Sequence, residues 1–578
     1  MKKIDKIIRC KCMPYILMIL LTAVICIPIF TMNLFLRNEA TLHMARIISI
    51  DEVLKDGVFP PIIDYKFMNG FGYALNLFYG PLTTYIPIVI YNIFGTAGLS
   101  FKVFSILTVI VSFIAMYKCT YSITKRRSIS TISALLYISM PYKLSNIYSR
   151  NAIGEFTALI FVPIVFGGLY NILNGDKKKS YLLSIGIIGL VLSHTISTIY
   201  MALFCLIYLL LNIDKLKNIK VWKIFGINIV ISFLVCAFYA IPLLEHMLSA
   251  DYTIFSPQKM GSTPEAVQNT GLSLGDLFAN EAGDQEIRFS LGFVTIILSI
   301  LTFFCYKKIK KDYKDTYISF IILSIITLVM STKLFPWLLM PNFLTVIQFA
   351  WRNLGFFAFF ASFVLGVNAI VFAKDILKKE VFKDTFIFAV IISIFVFSFL
   401  GVLRDWKFDD LSGESLLDKR IKENEKVPVF QVNREYMPLK ANNDLDYVQN
   451  RENKTYVISG KAEIIEENKE KLSDDIFIEN VESKAVLELP YLYYLGYDAE
   501  IKYDDSNFEK LELTESDKGF LEVEIKQCPK AQIKVRYNGT ILEKISYIIS
   551  AFGLIILIIY IIKERRNNGQ NKKEKQTN

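Results

Sequence analysis

Apolar runs of about twenty residues recur along the chain, each closed by a short polar stretch. That is the length an α-helix needs to cross the hydrocarbon core of a bilayer. Runs near 14–36, 100–124, 129–148, 156–173, 180–194, 197–213, 221–243, 289–306, 315–333, 353–373, 385–403 and 545–562 predict about twelve transmembrane helices. The run "PLTTYIPIVIYNIFG" is short for a span and carries Pro81 and Pro87, so it predicts a helix lying in the membrane interface. The segment "KLFPWLLMPNFLTVIQFAWRN" has two prolines and two tryptophans and reads as a partly re-entrant connection. Between the last two runs the period changes. "KTYVISGKAEII", "KAVLELPYLYYLGYDAEIKY", "FLEVEIK" and "AQIKVRYNG" alternate apolar and polar positions, which predicts antiparallel strands in a β-sandwich-like domain over 404–544.

Charge orients these elements. The stretch from Leu403 to Lys544 holds 22 Lys and Arg against 31 Asp and Glu, so it carries −9 while the rest of the chain carries +19. The basic excess sits in short loops such as "KRR" (125–127), "DKKK" (176–179), "KKIKKDYK" (307–314) and "KERRNN" (563–568). Lys and Arg are retained on the cytoplasmic side. The rule then predicts a multi-pass protein of the cell membrane with both termini cytoplasmic. Residues 1–403 form the transmembrane domain, 37–99 and 404–544 are extracytoplasmic, 545–562 is the final helix and 563–578 a cytoplasmic polar tail. The first run has a basic start and no small-residue cleavage site, so it reads as an uncleaved span. A chain 53% hydrophobic excludes the soluble globular classes and makes the lipid bilayer its surroundings. No basic patch is interleaved with aromatic residues, which excludes nucleic acid as a partner. Of eight cysteines only Cys528 lies in the polar domain, so that domain has no internal disulfide, and Cys10 with Cys12 cannot complete a zinc site alone.

The chemistry gathers at one membrane face. The chain has three histidines, His43, His194 and His246, and the threading puts all of them at extracytoplasmic span ends. Glu39, His43 and Arg46 recur at helical spacing and share a helix face. Arg150 and Glu155 lie in "YSRNAIGEF", Glu245 precedes His246, and Arg352 lies in "QFAWRN". "MNGFGYALNLFYGPLTTYIP" adds Tyr73, Phe78, Tyr79 and Tyr85, flat faces suited to a sugar ring or a lipid headgroup region. Singly, an Arg or Glu at a span end snorkels to water and a tyrosine joins an interfacial belt. Together they mark a site, because charge near a span faces a cavity or a partner.

The order of these features resembles the GT-C superfamily of membrane glycosyltransferases, and more closely the bacterial YfhO-like membrane proteins. The latter are also filed under a 6-pyruvoyl-tetrahydropterin synthase-related membrane domain. The pieces that carry the resemblance are "EATLHMARI", "GVFPPIIDYKFMNGFGYALNLFYGPL", "YSRNAIGEFTALIFVPIVFGGLY", "SHTISTIY", "IQFAWRNLGF" and "LPYLYYLGYDAEI". It implies a GT-C-like polytopic fold of about twelve helices, with a β-sandwich-like domain before the last. It also implies transfer of a sugar from a polyprenyl-phosphate donor to an envelope glycan or polymer. GT-C enzymes carry a catalytic acid in the first outer loop, and the resemblance assigns that role to Glu39, where the family pattern has Asp.

Such a transfer needs a base for the acceptor hydroxyl and cations for the departing phosphate. His43, Arg46, Arg150, Glu155, His194 and Arg352 then hold the donor phosphate and sugar, and Tyr73 and Tyr79 line the substrate. One placed carboxylate implies an inverting displacement. No cofactor is expected. A divalent metal is compatible with carboxylates and histidines at one mouth, but no spacing demands it, and no zinc-ligand motif supports the pterin label. The competing classes are a transporter or flippase of an anionic lipid-linked substrate and a non-catalytic envelope scaffold. The chain shows neither the internal repeats nor the midplane charges usual in transporters.

Overall fold

The computed structural model describes residues 10–31, 39–174, 179–255, 263–278, 289–405, 434–504 and 506–577. The end of the first expected span (32–36), the 176–178 part of the "DKKK" loop and the 406–433 start of the expected β-domain lie outside the described residues.

A helix occupies each expected apolar run. In chain order they are α1 (Met13–Thr31), α2 (Ala40–Lys55), α3 (Leu82–Phe94), α4 (Ala97–Thr124), α5 (Arg127–Ser139), α6 (Pro141–Tyr148), α7 (Ile153–Leu173) and α8 (Tyr181–Val191). Then come α9 (Thr195–Leu211), α10 (Ile219–Ser249), α11 (Phe293–Cys305), α12 (Lys311–Met330), α13 (Asn353–Val371), α14 (Glu380–Asp405) and α15 (Ile541–Thr577). Among the described residues seven helices are long and apolar enough to cross a membrane, and shorter apolar helices lie at Met13–Ile27, Leu82–Phe94, Tyr181–Val191 and Thr195–Leu211. The protein is a polytopic helical membrane protein. Every residue of α13 is buried, so it forms the centre of the bundle. Phe320 of α12 and Phe359 and Phe360 of α13 pack about Phe166 of α7 at ring separations of 5.0–5.6 Å.

The single helix expected over 129–148 is two. Proline has no N–H to donate and drives the residue before it to extended backbone. Met140 accordingly sits at φ −58, ψ 131, and α6 starts afresh at Pro141. The break re-aims the chain, so Tyr142 and Asn146, four apart on α6, continue into Arg150 on one side. The segment after α12 contains three short 3₁₀ turns, Trp337–Leu339, Asn342–Ile347 and Ala350–Arg352, punctuated by Pro336 and Pro341.

Among the described residues the period-2 segments form nine antiparallel strands in two sheets. The first has the order β1 (Tyr456–Ser459), β4 (Ala485–Leu492), β8 (Phe520–Ile525), β7 (Leu513–Glu515). The second has the order β2 (Glu463–Glu470), β3 (Ser473–Val481), β9 (Cys528–Tyr537), β5 (Tyr497–Tyr503), β6 (Glu509–Leu511). Their inward faces supply a buried core that includes Ile478, Leu487, Leu489, Val523, Ile533 and Val535. Arg451 is buried beside it, 3.1 Å from Glu488 and with its guanidinium 4.5 Å from the Phe520 ring.

The β-domain docks on the loop between α2 and α3. Leu492 N–H donates to Phe71 O (3.0 Å), Lys469 Nζ to Gly70 O (2.9 Å) and Asn69 Nδ2 to Gln449 O (3.3 Å). Gly70 has φ +84, and a Cβ there would lie 2.6 Å from Asn453 Nδ2. Only glycine both adopts that conformation freely and admits so close an approach. From the β-domain the chain returns through α15, whose Ser550 Oγ accepts Phe238 N–H of α10 at 2.7 Å.

Candidate functional site

The site lies at the end of the helical bundle that carries the β-domain. Glu39 is the N-cap residue of α2, and one helical face presents it with His43 and Arg46. Glu39 is 28% exposed, whereas His43 and Arg46 are 1% exposed. His43 Nε2 lies 3.4 Å from Glu39 Oε2, and the His43 ring meets Tyr79 edge-on at 5.3 Å. The Arg46 guanidinium lies 4.7 Å from the Tyr79 ring centre; its Nε donates to Asn76 Oδ1 at 3.2 Å and its Nη2 to Thr84 Oγ1. Arg46 Nη1 and His43 Nδ1 are buried and have no hydrogen-bond partner. Among the described residues no carboxylate pairs with Arg46.

The other cations are compensated. Glu155, in the first turn of α7, accepts from Arg150 Nη1 at 2.8 Å, from Asn146 Nδ2 at 3.3 Å and from the Tyr142 hydroxyl, and lies 3.5 Å from Arg352 Nε. The Arg150 guanidinium also stands 4.4 Å from the Trp351 ring centre. His194 is the N-cap of α9, where its Nδ1 accepts Ser197 N–H at 3.2 Å. Its ring rests on Gly154, where a Cβ would come within 3.2 Å, and so stands beside Glu155. A small cleft opens here, lined by Glu155, Ser197, Tyr200, Ile347, Arg352 and Phe356. The two charge groups meet at the backbone, where Glu39 N–H donates to Arg150 O at 3.5 Å.

These neighbours set the protonation states. Burial raises the Glu39 carboxyl, but the hydrogen bond and charge of His43 and the charges of Arg150 and Arg352 outweigh it and hold the group below its ordinary range. Burial holds the His43 imidazole down against the opposing pull of Glu39, so a neutral ring bonds an ionised carboxylate. Burial lowers Arg46 from 12.5 to about 10, which leaves it charged at neutral pH.

The structure thus brings Glu39, His43, Arg46, Arg150, Glu155, His194, Arg352 and Tyr79 to one mouth. Tyr73 is different. It is wholly buried and its hydroxyl accepts Tyr436 N–H at 3.2 Å, so it packs the loop and does not line a substrate space. His246 also stands apart, its Nδ1–H donating to Pro242 O at 2.9 Å within α10. Among the described residues no group of three or more His, Cys, Asp or Glu is placed to hold a metal ion. The sequence reading missed Tyr142 and Asn146, which have the i, i+4 spacing into Arg150 as a signal, and Glu435 and Tyr436, which have none.

A polytopic helical bundle with buried guanidinium groups at one end and a β-domain seated over them defines a class of membrane protein with a polar site at one face. Within that class, residues 77–407 match the model of the 6-pyruvoyl-tetrahydropterin synthase related domain, described as a membrane protein. The chain belongs to this family. It is 31% identical over 348 residues to an uncharacterised protein of Lactococcus lactis subsp. cremoris (strain MG1363), a match covering 56% of this chain and 54% of the other. The chain therefore spans about half the length of the curated relative it matches. It is also similar to the cryo-EM structure of arabinofuranosyltransferase AftD from Mycobacteria. That likeness has a TM-score of 0.42 and 12% identity, and covers 67% of this chain and 27% of that one.

Proposed function

We propose that this protein is a GT-C-type membrane glycosyltransferase, moving a sugar from a polyprenyl-phosphate donor to an envelope glycan or polymer on the extracytoplasmic face. The observation that carries the reading is an ionised carboxylate, Glu39, held at the mouth on the same helix face as a buried guanidinium, Arg46, that has no paired carboxylate among the described residues. Those are the two groups the chemistry requires, a base and an anion site.

In the proposed step the acceptor hydroxyl gives its proton to Glu39. The acceptor oxygen attacks the anomeric carbon as the bond from that carbon to the phosphate oxygen breaks. The electron pair leaves on that oxygen, and polyprenyl phosphate departs. Arg46 takes the phosphate, with Arg150 and Arg352 adding field from behind Glu155. His43 Nδ1 and His194 accept or donate to sugar hydroxyls, and Tyr79 forms the wall. Glu155 is occupied by two guanidinium groups, which leaves Glu39 as the base for a single inverting displacement. A product of retained configuration sinks that detail.

The test is Glu39→Gln in cells depleted of the native protein, with envelope polymer and lipid-linked sugar pools compared by mass spectrometry and membrane expression checked. Loss of one sugar from a polymer, with its lipid-linked donor accumulating, is the expected result. An unchanged glycan profile at normal expression removes Glu39 from the chemistry.

A further inference from the structure

Residues 434–439 enter the mouth as a strap pinned on three sides. Ile254 N–H donates to Glu435 O (2.7 Å), Thr253 N–H to Met437 O (3.0 Å), and Leu439 N–H to Asp251 O (2.8 Å), fixing the strap to the segment after α10. The Tyr494 hydroxyl, two residues past β4, donates to Tyr436 O at 2.9 Å, and Tyr436 N–H reaches Tyr73 in the first loop. The Tyr436 ring lies flat on Phe78 (4.6 Å, 3° between planes) and edge-on to Tyr79 at 6.0 Å. Tyr79 in turn touches His43 and Arg46. The residue beside Tyr436 is therefore held at the mouth by backbone bonds that do not involve its side chain.

That residue is Glu435. Among the described residues its carboxylate has no ion pair and no hydrogen bond, in contrast to the four partners of Glu155. Glu39 and Arg352 stand close enough for their charges to act on Glu435. A half-buried carboxylate needs a donor, which water or a ligand supplies. Among the described residues both oxygens remain open to accept, and a carboxylate so placed can bind a pair of neighbouring hydroxyls.

We propose that Glu435 is the acceptor-holding carboxylate of this site, delivered by the strap to the side facing Glu39. The proposal rests on the glycosyltransferase reading and names the acceptor class, a polyhydroxylated glycan or polyol. Two of its hydroxyls donate to Glu435, which turns a third toward Glu39. Burial and the Glu39 charge both raise Glu435 above the usual carboxylate range, and acceptor hydroxyls compensate for that environment by donating to the ionised form. The site is then built in two halves, a phosphate half from the helical bundle and an acceptor half carried on the strap.

The experiment complements cells lacking the gene with wild type, Glu435→Gln, Glu435→Asp or Glu39→Gln. It follows ¹³C-glucose label into envelope polymer and lipid-linked sugar by mass spectrometry. Each full-length protein is also purified into lipid nanodiscs and titrated with farnesyl phosphate, a short probe of the phosphate half. Glu435→Gln is expected to cut polymer labelling by roughly ten-fold or more, the scale of losing a charged hydrogen-bond partner, while farnesyl phosphate affinity stays within about two-fold of wild type. Glu435→Asp recovers part of the labelling. Labelling by Glu435→Gln within about two-fold of wild type overturns the proposal. So does a parallel loss of farnesyl phosphate affinity, which would place Glu435 in the phosphate half. If wild type and gene-less cells label identically, the transferase reading fails first and this proposal with it.

Discussion

Replacing Arg46 by Met separates what a residue does for the fold from what it does for a ligand. Burial lowers the Arg46 guanidinium from 12.5 to about 10, so its charge opposes folding by about 3 kcal/mol. The sign follows from a cation whose folded pKa lies below its unfolded one: the cost is present in full at neutral pH and disappears only above the unfolded value. Against it stand the hydrogen bonds to Asn76 and Thr84, about 1 kcal/mol each, and a stacking contact with Tyr79 of about 1 kcal/mol. These nearly cancel, so Arg46→Met should unfold within about 1–2 kcal/mol of wild type. Its affinity for an anion should collapse. A charge-assisted contact is worth about 1.5–3 kcal/mol, or roughly 10- to 150-fold in Kd. The assay titrates farnesyl phosphate, with farnesol as control, into the full-length protein in nanodiscs and follows intrinsic tryptophan fluorescence. A Kd within about two-fold of wild type in a folded Arg46→Met protein refutes the assignment, as does farnesol binding as tightly as its phosphate.

Three further outcomes follow from the same contacts. Glu155→Gln leaves Arg150 and Arg352 without their carboxylate, and breaking such a buried pair should cost about 3–5 kcal/mol, seen as a fall in thermal midpoint and membrane expression. Arg451→Met leaves Glu488 uncompensated inside the β-domain at a similar cost, and farnesyl phosphate affinity of the surviving folded protein should be unchanged. Asp64 is 1% exposed and burial raises its carboxyl to about 6. Its folded pKa exceeds the unfolded value of 3.8, so its contribution of about 3 kcal/mol is present below pH 3.8 and is lost as pH rises through 6. Asp64→Asn should flatten the stability profile across that window, and an unaltered slope in chemical unfolding between pH 4 and pH 6 counts against it.

The helices were legible because span-length apolar runs have few other fates, and the strands because alternation persists over several residues in each. The break at Met140 was present in the sequence as a proline, but hydropathy averages across it and the run read as one span. Glu39, His43 and Arg46 were legible as a local spacing, and Glu155 with Arg150 as neighbours in one motif. The pairing of Glu155 with Arg352 required the bundle to close. Tyr73 was misread because a tyrosine beside glycines looks the same whether it faces a ligand or the underside of a strap. Glu435 had no signal at all. It is one of 31 acidic residues between Leu403 and Lys544, and nothing near it in sequence marks which one the strap holds next to Tyr436.

The strap also fixes when the site comes into being during synthesis. Glu39 is made early, while Tyr436 and the strand that secures it through Tyr494 emerge nearly four hundred residues later or more. Until then Phe78 lacks its stacked partner and Tyr79 its edge contact with Tyr436. A ribosome that stops short, or a β-domain that folds wrongly, leaves a membrane bundle without the strap across its mouth. Completion of the chain is thereby required before the mouth takes this form, and a truncated protein carries the cation-rich end of the bundle without Tyr436 against Tyr79.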